Sequence, residues 1–338
     1  MKKTILAFAS TALLAACTSA PKNAYTINGI AGEGVEDGAT VILLNPTSRD
    51  TIASTEVANG AFTFTGIADE TVTAYAMIDR QHSAQLFVEP GTINVDLGQR
   101  KATGTALNDE MAALEAKVKD IEDDEEYMAV LKDFYKRNEQ NPLGANLWSD
   151  MMYYLTCDEM EALLETAQEA VKNNPNNERY LTAKRAAQNT AVGQKFVDFP
   201  GTTVDIKNPK NDGKQTSLAE IVAQGKPVIV DFWASWCGPC RNEIKNYLSV
   251  YGPEYAGKVN FVGAAVWEDS VDDTKKAMGE LPISWSVIFC GGRGEGPTAD
   301  YGIMGIPHIM LVGADGIIKA RDIRGEKIKE AIEAELNK

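Results

Sequence analysis

Between Tyr25 and Leu97 apolar side chains recur in short runs, several of them at every second position, the period of a strand with one buried face. The runs are Tyr25–Gly29, Thr40–Leu44, Ala61–Thr65, Thr73–Ile78, Ala84–Val88 and Thr92–Leu97, with Asn59-Gly60 and Pro90-Gly91 as turn dipeptides between them. This spacing predicts a small antiparallel sandwich or barrel over residues 24–100. It holds no catalytic constellation, so a structural or partner-binding role is expected there.

Over residues 105–192 the period becomes helical. Met111, Leu114 and Val118 share one face, and Met160, Leu163, Leu164 and Ala167 share another. Asn141-Pro142 and Asn173-Asn174-Pro175 break the run into several helices. Trp148, Met151, Met152, Tyr153, Tyr154 and Leu155 read as helix-packing core, with a binding groove as the alternative. The acidic stretch Asp120–Glu126 lacks the glycine and spacing of a calcium loop and reads as a solvated turn or helix face.

Residues 193–338 alternate strands with helices. Val228–Trp233 is apolar apart from Asp231, as in a central strand, and Val259–Val266 is a second such run. Pro307–Val312 predicts another strand, Ala314-Asp315-Gly316 a turn, Ile317–Arg321 its antiparallel partner, and Glu326–Leu336 a closing amphipathic helix. The expected fold class is therefore α/β, preceded by the small antiparallel β domain and the helical segment.

Residues 1–16 stand apart from these elements. Lys2 and Lys3 precede an apolar stretch, Ile5–Ala16, too short to span a bilayer and matched to a secretory signal. It ends in Leu14-Ala15-Ala16-Cys17, which resembles a bacterial lipobox, so Cys17 is the expected lipid attachment. A plain signal peptide containing a chance cysteine is the alternative. The implied location is the periplasm of a Gram-negative bacterium, anchored through lipid to its inner or outer membrane. The 338 residues carry a formal charge of −15, which argues against a nucleic-acid partner.

Five cysteines in an exported chain of this length do not make a disulfide scaffold. Cys237 and Cys240 form a C-x-x-C pair where a strand gives way to a helix. Free backbone N–H groups there favour a thiolate at Cys237. Lowering a thiol from about 8.5 to about 7 takes roughly 2 kcal/mol of differential stabilisation. Cys240 lies nearly one helical turn further on and can resolve a mixed disulfide, and Pro239 suits an early helical position. Structural zinc would need more ligands than His82 and His308 supply, so no metal and no cofactor are expected. Cys157 and Cys290 read as inert thiols. Gly291–Gly296 lacks the ending of a phosphate loop and reads as a flexible loop.

The stretch Val230-Asp231-Phe232-Trp233-Ala234-Ser235-Trp236-Cys237-Gly238-Pro239-Cys240 resembles the thioredoxin active site, and Ile306-Pro307 before a strand resembles the second half of that fold. The resemblance covers residues 193 to 338. With the lipobox and Glu268 it is most similar to the TlpA/ResA-like lipid-anchored thiol–disulfide oxidoreductases, in the domain order of Bacteroides-type exported proteins. It implies a redox disulfide Cys237–Cys240, with Asp231 assisting proton transfer to the second cysteine and Glu268 near the pair. Trp236, Ile306 and a cis Pro307 would contact substrate, with His308 where many relatives carry threonine. The implied activity is reduction of disulfides in exported proteins, fed by a membrane thiol electron donor. A thiol peroxidase of the same fold is the nearer alternative, but the Pro-x-x-x-Thr-x-x-Cys signature is missing before Cys237. A non-enzymatic binding lipoprotein is the other.

Overall fold

A computed structural model describes residues 21–292 and 296–338, so Cys17 and the proposed signal lie outside the described residues. The chain divides into two compact units, one running to Tyr154 and including Leu164–Lys172, the other comprising Leu155–Leu163 and Asn173–Lys338.

The first unit opens with β1 (Ala24–Ile30), β2 (Thr40–Leu44), β3 (Thr51–Glu56), β4 (Ala61–Ile67), β5 (Val72–Met77), β6 (Ser83–Val88), β7 (Gly91–Asp96) and β8 (Lys101–Thr103). They form two four-stranded sheets, ordered β4-β1-β7-β8 and β3-β2-β5-β6. Ile27 and Ile93 from one sheet and Val41, Leu43 and Leu86 from the other share one core, so the two sheets pack as a sandwich. Every pairing is antiparallel except β1 with β7, which is parallel. Gly29 lies opposite Phe62, and a Cβ there would fall 1.9 Å from the phenyl ring, so only glycine lets the ring lie across β1. Strands β3 and β8 escape the hydrophobic pattern because they are short or polar and pair on one side only.

Six helices follow: α1 (Ala106–Val118), α2 (Asp124–Asn138), α3 (Pro142–Tyr154), α4 (Cys157–Thr166), α5 (Glu169–Lys172) and α6 (Asn177–Asn189). The buried Asn108 side chain donates to Phe87 O and accepts from Phe87 N, which ties α1 to β6. The acidic stretch is exposed over Glu122–Glu126, and Asp123 caps α2 by accepting from Glu126 N at 2.8 Å. Trp148, Met151, Met152 and Leu155 are buried as core, whereas Tyr153 and Tyr154 are exposed.

The second unit is built on seven strands: β9 (Pro200–Val204), β10 (Gln215–Ser217), β11 (Val228–Trp233), β12 (Asn260–Ala265), β13 (Ser286–Phe289), β14 (His308–Val312) and β15 (Ile318–Ala320). Their order is β10-β9-β13-β12-β11-β14-β15, with β11, β12 and β13 parallel and the others antiparallel to their neighbours. Helices α7 (Leu218–Val222), α8 (Gly238–Glu243), α9 (Ser249–Glu254), α10 (Val271–Glu280), α11 (Pro297–Asp300) and α12 (Glu326–Leu336) complete it, a π-turn at Ile244–Leu248 joining α8 to α9. Strand β11 is buried along its whole length because both faces are covered. Ile229 and Trp233 pack into one core with Ile244, Leu248 and Ile328, while Val230 and Phe232 pack into a second with Phe199, Tyr301 and Met310.

Helix α6 belongs to this second unit. Arg321 Nη1 donates to Ala187 O, Thr190 O and Thr190 Oγ1 at its C-terminal end, and Nη2 donates to Tyr301 O. These bonds satisfy carbonyls that a helix end leaves unpaired. At the same contact Gly302 sits at φ +62, where a Cβ would meet Ala183 O at 1.9 Å.

Candidate active site

The site forms where β11 ends in the middle of the sheet and the chain turns through Ala234-Ser235-Trp236 into α8. Cys237 has extended dihedrals (φ −78, ψ 101) and is the N-cap of α8; its sulfur accepts from Cys240 N at 3.2 Å. Pro239 occupies an early helical position, where a missing N–H costs little. Cys237 and Cys240 are joined as a disulfide. Their burial differs: Cys237 keeps 4% of its surface and Cys240 none, so Cys240 is sealed from solvent.

Asp231 projects from β11 on the Ile229–Trp233 side, the side carrying the cysteines. It is 1% exposed, and neither carboxylate oxygen has a hydrogen-bond partner among the described residues. Burial first, and the nearby Glu243 carboxylate second, push its pKa up to about 8. The side chain is therefore mostly protonated at neutral pH, with a proton affinity close to that of a thiol.

Ile306-Pro307 is a cis peptide leading into β14, and the Ile306 carbonyl oxygen lies 3.7 Å from Cys237 Sγ. Trp236 is half-exposed beside the cysteine, its indole N–H donating to Trp267 O at 3.0 Å. Glu268 is buried; one carboxylate oxygen accepts from Ser235 N at 2.5 Å and the other from Ser235 Oγ at 2.8 Å. Burial raises its pKa, and the two Ser235 bonds oppose that rise. Its carboxylate thus grips the turn two residues ahead of Cys237.

Sequence reasoning passed over several residues of this arrangement. Ser235 holds Glu268, Arg241 donates to Ser235 O at 3.1 Å and to Glu280 at 2.7 Å, and Glu243 faces Asp231 electrostatically. Trp267 occupies the left-handed region at φ +57, unusual for an aromatic residue, and its indole donates to Thr298 Oγ1. None of these contacts leaves a mark in local sequence pattern; apart from Arg241 with Ser235 O, six residues apart, and Glu243 with Asp231, they join segments distant along the chain.

His308 is buried against the Phe232 ring, and Arg321 Nε donates to its Nε2 at 3.3 Å. Burial and the Arg321 charge lower its pKa to about 4, so it is neutral at pH 7. Burial pushes the Cys290 thiol up to about 12 and also raises that of Cys157, leaving both protonated and unreactive. Among the described residues no three His, Cys, Asp or Glu side chains converge as a metal centre requires, and no helix is long and apolar enough to cross a membrane.

A parallel β11-β12-β13 sheet core flanked by β14 and β15, with a C-x-x-C at the start of the helix after β11 and an Ile-Pro turn facing it, defines a thioredoxin-like dithiol protein. The chain belongs to the redoxin family, whose pattern it matches over residues 164–336. Residues 25–111 match a domain of unknown function, DUF4369. The thioredoxin-like protein YneN of Bacillus subtilis is 28% identical over 47% of this chain and 86% of its own length. The thiol:disulfide interchange protein DsbE of Escherichia coli is 33% identical over 39% of this chain and 68% of its own. For the interchange protein CycY of Rhizobium leguminosarum, 35% identical over 30% of this chain, the match spans about half (52%) of the relative. Among solved structures, the thioredoxin domain of a thiol-disulfide oxidoreductase from Bacteroides vulgatus is 28% identical. That match covers 43% of this chain and 96% of the domain, with a TM-score of 0.37.

Proposed function

We propose that this chain reduces disulfides of exported proteins through Cys237 and Cys240, held at a periplasmic membrane surface by lipid on Cys17. The observation that carries the reading is the asymmetric disulfide, with Cys237 capping a helix under the Ile306 carbonyl and Cys240 sealed inside.

In the reduced protein the Cys237 thiolate attacks one sulfur of the substrate disulfide. That S–S bond breaks, a Cys237–substrate disulfide forms, and the departing thiolate takes up a proton. Asp231, in its minor ionised fraction, accepts the Cys240 proton. The Cys240 thiolate then attacks Cys237 Sγ and releases the second substrate thiol. Two electrons and two protons pass to the substrate, leaving the Cys237–Cys240 disulfide. A dithiol donor at the membrane must reduce it again before the next cycle.

Direction is tested by equilibrating the full chain with thiol redox buffers. A potential near the thioredoxin value of about −270 mV supports reduction, whereas one near about −120 mV makes the protein an oxidant and contradicts it. The gap corresponds to about 7 kcal/mol. The anchor is tested by mass spectrometry of the mature chain: acylated Cys17 is expected, and an unmodified N-terminus elsewhere removes the anchor.

A further inference from the structure

Helix α6 forms one wall of a groove of about 680 Å³ within the second unit. Pro175, Thr182 and Ala183 line it on the helix side, and Trp267, Ile303 and Met304 line the other. The rim carries one residue of each charge, Glu178 and Arg179, so apolar contact rather than net charge sets what it holds.

The groove is lined by residues that adjoin the dithiol site. Trp267 accepts the indole hydrogen bond of Trp236, which adjoins Cys237. Met304 is two residues before Ile306, whose carbonyl lies 3.7 Å from Cys237 Sγ. Because Cys237 is only 4% exposed, an attacked disulfide must descend to it, and the chain flanking the substrate cysteine must lie on the surrounding surface. A volume of this size takes a run of side chains rather than a small thiol.

We infer that the groove binds the polypeptide segment beside the attacked cysteine and selects substrates with an aliphatic or aromatic side chain there. The inference rests on the exchange activity proposed above and assigns α6, which precedes the sheet, a part in substrate choice. Arg321 and the Gly302 contact hold α6 against the segment that leads to Ile306, so both walls keep a fixed spacing.

The test uses the full chain, reduced and freed of reductant, with three oxidised substrates: oxidised glutathione, a peptide disulfide with leucine two residues from the cysteine, and the same peptide with serine. The rate constant is expected to be about tenfold higher for the leucine peptide than for the serine peptide, the discrimination one apolar side chain gives in a pocket. Thr182→Arg, at an exposed position on α6, should bring that ratio to about 1. Equal rates for the two peptides with wild-type protein, or a ratio unchanged in Thr182→Arg, overturn the groove while leaving the exchange activity intact. Failure to react even with oxidised glutathione overturns the exchange reading itself. A dimer that Thr182→Arg dissociates, with equal peptide rates, assigns the groove to a second copy of the chain and overturns the proposal.

Discussion

In an unfolded chain the Asp231 carboxyl titrates near 3.9, whereas its burial in the fold, without partners, brings it to about 8. Between those values the folded state keeps a proton that the unfolded state has released. Stability contributed by the neutral carboxyl is therefore whole below about pH 4 and is lost progressively as pH rises to about 8. Asp231→Asn, isosteric with the protonated acid, should be more stable than the parent by roughly 3 to 5 kcal/mol at pH 8 and nearly equal to it at pH 4, read by urea unfolding. The same variant should slow disulfide reduction at least about tenfold while leaving alkylation of Cys237 intact, because in the proposed cycle only the Cys240 proton transfer uses the carboxylate. A parallel stability curve at all pH values, or unchanged turnover between pH 6 and 9, would remove the assigned role. The sequence carried Asp231 through its motif position, but not Glu243 or Ser235. Ser235 and Glu268 are 33 residues apart, and only the turn after β12 brings them together.

Helices and strands with a buried face announced themselves through their period, and α12 was expected over the very residues it occupies, Glu326–Leu336. Strands β9 and β10 did not, because Pro200, Gly201, the threonines and Gln215 carry little apolar alternation, and β10 lies at the sheet edge. The attachment of α6 to the second unit was also hidden: it depends on Arg321, more than 130 residues away, and on a glycine whose need shows only in the packed structure. Gly302→Ala tests that attachment. The added methyl faces a helix backbone rather than a flexible side chain, and φ +62 disfavours alanine, so a loss of about 2 to 4 kcal/mol is expected in chemical denaturation. Faster amide exchange along α6 should accompany it. A variant as stable as the parent, with α6 equally protected, would show that the helix does not depend on this contact.

For the whole molecule, the proposed chemistry lies at one end of one sheet in the second unit. The first unit contributes a β-sandwich and helices, with Asn108 bonded to Phe87 and Asn138 to Phe134 O among its buried polar side chains. A formal charge of −15 makes the chain acidic overall. The C-x-x-C, the strand before it and the Ile306-Pro307 turn were legible because the fold needs those residues in fixed order along the chain. The inequality of the two sulfurs was legible too, from Cys237 at the start of a helix and Cys240 nearly one turn further on; the structure adds that α8 seats Cys240 against the core.

That inequality is the centre of the account, and trapping tests it most directly. The full chain carrying Cys240→Ser should form a stoichiometric mixed disulfide with a peptide disulfide substrate, with one substrate half bound to Cys237 by mass spectrometry, while Cys237→Ser forms none. Capture by Cys237→Ser but not by Cys240→Ser would reverse the roles of the two cysteines. Full turnover by both variants with no adduct on either would contradict the assignment of Cys237 and Cys240 as the reactive pair.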